Sequence, residues 1–190
     1  MKLNKLSPLA LCLPIALLAG CGSAPPTRVT PGGVGSLTSA GADVRDIMVA
    51  ADELTQSLLA SAVLDRNIGH TPVVEVSQVR NDTDDNFDTD QVSFKITTGI
   101  LNSGKAQILA TDATAKALRD ANAFRGDEKQ KQLPDYVLYA KLMLKTAVVG
   151  NTREKTYTLQ FKLADATTGN NVWLEETDFA KRSKRSAVGF

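Results

Sequence analysis

Two runs of strict alternation in the last third of this 190-residue chain limit what it can fold into. Leu138, Ala140, Leu142 and Leu144 alternate with residues that include Lys141 and Lys145. Tyr157, Leu159, Phe161 and Leu163 alternate with Thr158, Gln160 and Lys162. Successive side chains of a strand point to opposite faces, so each run is a strand with one apolar and one wet face. Thr168-Gly169-Asn170 reads as a turn into a third strand, from Asn171 through Trp173 to about Phe179. Three strands in succession make an antiparallel meander whose apolar face needs a layer of helices over it.

Earlier segments supply that layer. After Asp43, a cap by residue type, Val44, Ile47, Met48, Ala51, Leu54 and Leu58 recur at steps of three and four, the spacing of an amphipathic helix. Pro72 to Val79 is short and β-branched, a strand that ends in the polar loop Asn81 to Asp88. Residues 89–103 carry two patterns at once. Val92, Ile96 and Ile100 step by four, while the β-branched content also suits a strand. Asn102-Ser103-Gly104 is a helix stop, and it decides for a helix. A short strand is expected at Lys105 to Leu109, a third helix from an Asp112 cap through Leu118 towards Phe124, and a charged loop from Arg125 to Lys131. The fold class is therefore α/β: a two-layer sandwich of three helices on a mixed sheet of five strands, ending in the three-stranded meander. Alternation places Trp173, Tyr157 and Phe161 in its core.

The N-terminal end has a different character. Lys2 and Lys5 precede the apolar run Leu9 to Leu18, which contains Pro14 and closes on Leu18-Ala19-Gly20-Cys21. That run is too short to span a bilayer, which takes about 20 apolar residues. It is laid out as a lipoprotein signal peptide, residues 1–20, with Cys21 as the lipidated residue. Two or three acyl chains on one cysteine anchor a protein durably. Gly22 stands where an aspartate would hold many Gram-negative lipoproteins at the inner membrane, and similarity to that sorting rule implies the outer membrane, periplasmic face. Residues 21–42 are rich in Gly, Ser, Thr, Ala and Pro and read as a flexible tether reaching about 70 Å when fully stretched. Residues 43–190 suit a single domain.

These features exclude several chemistries. Cleavage before Cys21 removes Cys12, so the mature chain has no thiol free for catalysis or a disulfide. Loss of Lys2 and Lys5 tips 22 basic against 21 acidic residues to a slightly negative balance, with no global basic field for nucleic acid. His70 is the single histidine, in a link before Pro72 and without metal-ligand spacing around it. Asp82, Asp84, Asn86 and Asp88 alternate as in a calcium loop. However, Phe87 stands where the sharp turn wants glycine and Ser93 where a bidentate glutamate belongs. Glu175 and Glu176 are neighbours on a strand and point to opposite faces, a poor basis for paired-carboxylate catalysis. No enzyme, metal or cofactor is expected. The only dense basic patch is Lys181, Arg182, Lys184 and Arg185, equally suited to an anionic surface or to a solvated strand end. A protein-contact surface is best sought at Phe124, Arg125, Asp127 and Lys129, where a charged, unpatterned segment adjoins an aromatic residue.

Four segments, in this order and spacing, resemble the LpoB family: VRNDT (Val79 to Thr83), LNSGKAQIL (Leu101 to Leu109), DYVLYAKL (Asp135 to Leu142) and YTLQFKLADATTGNNVW (Tyr157 to Trp173). The resemblance implies a fold like the N-terminal domain of TolB. It also implies a non-catalytic outer-membrane lipoprotein that passes through the peptidoglycan, docks on an accessory domain of a class A penicillin-binding protein and raises its glycosyltransferase and transpeptidase output. The alternative is a structural or assembly lipoprotein of the outer membrane.

Overall fold

The computed structural model describes residues 43–66, 68–111, 113–125 and 133–184. The expected signal peptide, the tether, Cys21, the Asp112 cap, Asp127, Lys129 and Arg185 lie outside the described residues.

Among the described residues the elements are α1 (Val44–Ala60), β1 (Val73–Val76), β2 (Arg80–Asp82), α2 (Thr89–Asn102), β3 (Gln107–Ile108), α3 (Ala113–Phe124), β4 (Tyr136–Val149), β5 (Thr152–Asp165) and β6 (Asn171–Lys184). The sheet order is β3-β1-β4-β5-β6, with β2 also pairing β4. β1 pairs in parallel with β3 and β4, whereas β4, β5 and β6 form the antiparallel meander. The mixed-sheet α/β architecture is thus as the alternation and the helical spacings require.

The meander is built on unbroken register. Tyr136 faces Asp165 and Val149 faces Thr152, with every residue between them paired. Tyr136, Leu138, Ala140 and Leu142 on β4 and Tyr157, Leu159, Phe161 and Leu163 on β5 form one buried face. α1 and α2 cover it with Ile47, Ala51, Leu54, Leu58, Val92, Ile96 and Ile100. α1 starts with a reciprocal capping box, in which Asp43 accepts from the Asp46 amide (3.0 Å) and Asp46 accepts from the Asp43 amide (3.3 Å). It then runs antiparallel along β6. Lys181 pairs with Asp46, Thr177 donates to Glu53, and Ser57 donates to Glu175. α2 is capped by Asp88, whose side chain accepts from the Asp90 amide (2.9 Å), and it stops where Gly104 takes φ +71°.

Two expectations are corrected. The sheet has six strands, because Arg80–Asp82 forms a short parallel strand on Lys141 to Met143 instead of belonging to the loop. β1 and β2 occupy successive stretches of one lane beside β4, and the chain steps out between them at Ser77 to Val79, where the Ser77 amide still donates to Leu138 (2.9 Å). Trp173 is only partly buried at the rim of the core, whereas Tyr157 and Phe161 are fully buried. A register shift at Leu163/Ala164 lies beside it, and Trp173 faces Leu163 next to the end of the ladder.

α1 and α2 approach most closely at Gly99, where an added Cβ would lie 2.9 Å from the Thr55 Cγ2. Thr55 is buried, and its Oγ1 donates to the Ala51 carbonyl (2.6 Å), so the methyl cannot swing away without losing that bond. We expect Gly99→Ala to destabilise the domain by about 1–2 kcal/mol through overpacking, despite alanine's better helix propensity. Thr55→Ser, which removes the methyl and keeps the hydroxyl, should recover most of that loss, and thermal melts of the single and double variants measure the coupling.

Candidate functional site

Opposite the helices, the sheet presents a second face of different chemistry. Register sets it in rows: Tyr139, Lys162 and Leu174 across β4, β5 and β6, then Lys141, Gln160 and Glu176, then Met143, Thr158 and Asp178. Tyr139 is 49% exposed and Leu174 is 65% exposed, two large apolar groups among charged ones. The polar members are tied in pairs: Gln160 donates to Glu176, Thr158 to Asp178, and Arg182 to Glu154. Glu175, by contrast, turns to the helix side, so the two adjacent glutamates serve opposite faces.

The acidic loop after β1 disperses its carboxylates. Asp82 pairs with Arg80 (2.7 Å) and with Lys141 (2.9 Å), and the hydrogen bond from Lys141, followed by that from Arg80, holds its carboxyl below the usual carboxylate value. Asp88 caps α2, with Gln91 and then the Asp90 amide lowering its pKa. Asp84 and Asp85 meet Lys155 at 3.3 and 3.0 Å, and the buried Tyr157 hydroxyl donates to Asp85. The bond to Asp85 is the largest influence raising the Lys155 ammonium above the ordinary lysine value. Three of the four aspartates from 82 to 88 are thus directed to lysines, and the last to a helix end. Among the described residues no group of His, Cys, Asp and Glu is arranged to hold a metal ion.

His70 lies 3.0 Å from Asp135, half-exposed, at the end where β1 and β4 begin. Asp135 also accepts from the Val73 amide (2.7 Å), while its own amide donates to the Val73 carbonyl (2.8 Å). The pair therefore braces the starts of two parallel strands. Of the basic patch, Lys181, Arg182 and Lys184 lie in β6, which runs five residues beyond the expected end at Phe179. Lys181 is turned to Asp43 and Asp46, and Arg182 to Glu154.

The sequence-predicted contact residues fall at the end of α3. Phe124 is 94% exposed and Arg125 follows it in the closing turn. Leu118, two turns earlier, is also exposed. β3 and β4 run in the same direction, and α3 lies in the connection between them. Asp43, where the chain enters the domain, lies beside Lys181, near the Gly150 hairpin at the end of the sheet away from where β4 begins. No described helix is long and apolar enough to cross a membrane.

A family model, described as the peptidoglycan-synthase activator LpoB, matches residues 46–179. The chain belongs to the LpoB family. The match runs from the first turn of α1 to Phe179 of β6 and includes Phe124 and Arg125. LpoB proteins are activators of a synthase and not themselves catalysts. Among solved structures, the LpoB C-terminal domain from Escherichia coli is 20% identical, with 70% of this chain and 98% of that one covered at a TM-score of 0.45. The corresponding domain from Salmonella enterica is 18% identical, with 70% and 98% covered and a TM-score of 0.45. The solution structure of Escherichia coli LpoB is 18% identical over 96% of this chain and 94% of that one, with a TM-score of 0.41. Membership in the LpoB family rests on the family model, not on these three. Comparison with curated proteins finds no match.

The surfaces that sequence reading missed are the Tyr139 to Leu174 row and the Asp85, Lys155, Tyr157 cluster. The alternation carried a signal for the first, since Tyr139 stands among wet-face positions. The second joins residues about seventy apart, and only the fold brings them together. We expect Lys155→Met to destabilise the domain by about 1–3 kcal/mol, because Asp84 and Asp85 lose their cation. Lys155 has a raised folded-state pKa, so this contribution is complete below the ordinary lysine value and is lost as pH rises through the folded value. Melts of wild type and variant should therefore converge in strong alkali and differ fully at neutral pH.

Proposed function

We propose that this chain is a lipid-anchored activator on the periplasmic face of the outer membrane, and that it binds and stimulates a class A penicillin-binding protein. The family match across α1 to β6 carries the reading. In this reading residues 1–20 are the signal peptide, Cys21 bears the lipid, residues 21–42 are the tether, and residues 43–190 are the binding domain. Phe124 and Arg125 fit a contact surface: an aromatic ring and a guanidinium, both open to solvent, are the groups that dominate binding energy when a partner buries them. Asp127 and Lys129 extend that surface in sequence. Activation is then differential binding, since a regulator shifts the synthase only by the difference in its affinity for the more and less active states.

The full-length protein in detergent should bind purified class A synthases saturably and speed glycan polymerisation. Phe124→Ala combined with Arg125→Ala should weaken binding by about tenfold or more with the thermal melt unchanged. Absence of both binding and stimulation with every class A synthase of the host would overturn the activator reading in favour of a structural envelope lipoprotein, for which the short tether is the supporting observation. Cys21→Ser should leave the protein unlipidated and extractable without detergent, as followed by fractionation and mass spectrometry.

A further inference from the structure

β6 is an edge strand, and its charges are sorted by sign along its length. Among the described residues it pairs only with β5, so the other side of its fourteen-residue backbone has no strand partner. A row of unpaired amides and carbonyls is a template for another chain. Glu175, Glu176 and Asp178 occupy one part of the strand, and Lys181, Arg182 and Lys184 the other. A strand that is acidic towards one end and basic towards the other complements itself when turned antiparallel. We propose that β6 pairs with β6 of a second copy of this chain, antiparallel about a two-fold axis at Ala180, to make one continuous sheet across two molecules. The basic half lies beyond the part of the chain that the family model matches.

The register follows from the pleat. An axis perpendicular to the sheet keeps each face on its own side, and directly opposed residues share a face, so the axis must pass at a residue and not between two. With Ala180 opposite itself, Asp178 faces Arg182 and Glu176 faces Lys184, twice each, all on the face away from the helices. Placing Asp178 or Lys181 on the axis instead opposes like charges, which is destabilising. An axis at Phe179 retains Glu176 against Arg182 but sets Lys184 against Leu174 and Asp178 against Ala180. The charges that would block pairing with an arbitrary strand therefore favour this one register.

The helix side agrees independently. Asp46, Glu53 and Ser57 lie on the stripe of α1 that leans over β6, and Val49 falls on the same stripe. Val49 is an apolar side chain left 54% exposed. Asp46 meets Lys181 and Glu53 meets Thr177, so Val49 sits level with the proposed axis, where the two α1 helices come side by side. Asp43, also held to Lys181, brings both incoming chains to the same seam, which lets two lipid anchors enter one membrane.

The test uses the full chain in the membranes of cells that produce it. Ala180→Cys should yield a covalent dimer with a short bismaleimide, and the chain without that substitution should not. Glu176→Lys with Asp178→Lys, added to Ala180→Cys, makes the charges on the strand's face away from the helices all basic and should reduce the dimer by about tenfold. Arg182→Glu with Lys184→Glu, also added to Ala180→Cys, makes the charges on that face all acidic and should do the same. Co-production of the two charge variants should restore the cross-link as a mixed dimer, which also shows that both variants are folded. No cross-link at Ala180, a cross-link indifferent to the charge variants, or failure of the mixed pair to recover would overturn the proposal. Synthase binding by the monomeric variants is a separate readout and does not bear on it.

Discussion

Between Tyr136 and Val149 on one strand and Thr152 and Asp165 on the next, fourteen residues face fourteen without a slip. A shift of one residue would turn the whole apolar set of one strand, such as Tyr157, Leu159, Phe161 and Leu163 of β5, to water together, so the register is held by the apolar face at once. The rest of the domain takes its place from that hairpin. β1 and β2 need β4 as a template, β6 needs β5, and α1 and α2 have a surface to cover only because alternate side chains of β4 and β5 stand on one side.

Charge is used to secure what the hairpin positions. Each strong carboxylate cluster lies where an element begins or a loop must be held: Asp43 and Asp46 at the start of α1, Asp82 to Asp88 between β2 and α2, and Asp165 in the turn before β6. Partial burial pushes the Asp43 carboxyl up, but the Asp46 amide and then Lys181 outweigh it and leave the group below its usual value. Asp165 is lowered chiefly by the Thr168 amide. Groups with depressed pKa values contribute stability above the ordinary carboxylate range and lose it as pH falls through their folded values, whereas Lys155 imposes the opposite limit in alkali. Loop and cap are therefore firmest across the middle of the pH scale.

Much of this was legible in the residues, and the parts that were not share a cause. The Asp43 cap, the helical spacing of α1, the Gly104 stop of α2 and the alternation of β4 and β5 are local signals, and each appears in the structure where the residues place it. Arg80–Asp82 has no apolar pattern, and its strand pairing comes from the edge of β4 that it meets. β6 continues past Phe179 because β5 offers partners as far as Thr152, although Lys181 to Lys184 read as a solvated basic patch. The Lys155 to Asp85 contact joins distant segments and leaves no mark in either. As for the contact surface, Phe124 and Arg125 are exposed, and their role as a contact depends on a second molecule's surface, which no residue pattern of this chain encodes.

The direction of the strands bears on how a tethered activator can work. Chain enters the domain at Asp43 beside Lys181, close to the Gly150 hairpin, and β4 begins at the opposite end of the sheet. A fourteen-residue strand spans roughly 45 Å, which is more than the ~25 Å root-mean-square reach that residues 22–42 would have as the proposed tether. Under the proposed anchoring the folded domain would contribute to the distance between anchor and target at least as much as the relaxed tether, and without the entropic cost of stretching it. Phe124 and Arg125 close α3 in the connection between β3 and β4, while the starts of β1 and β4 form the end away from Asp43. A molecule anchored as proposed and standing on its hairpin end would turn the starts of β1 and β4 outward, where rigid strands and not an extended linker hold them towards a partner.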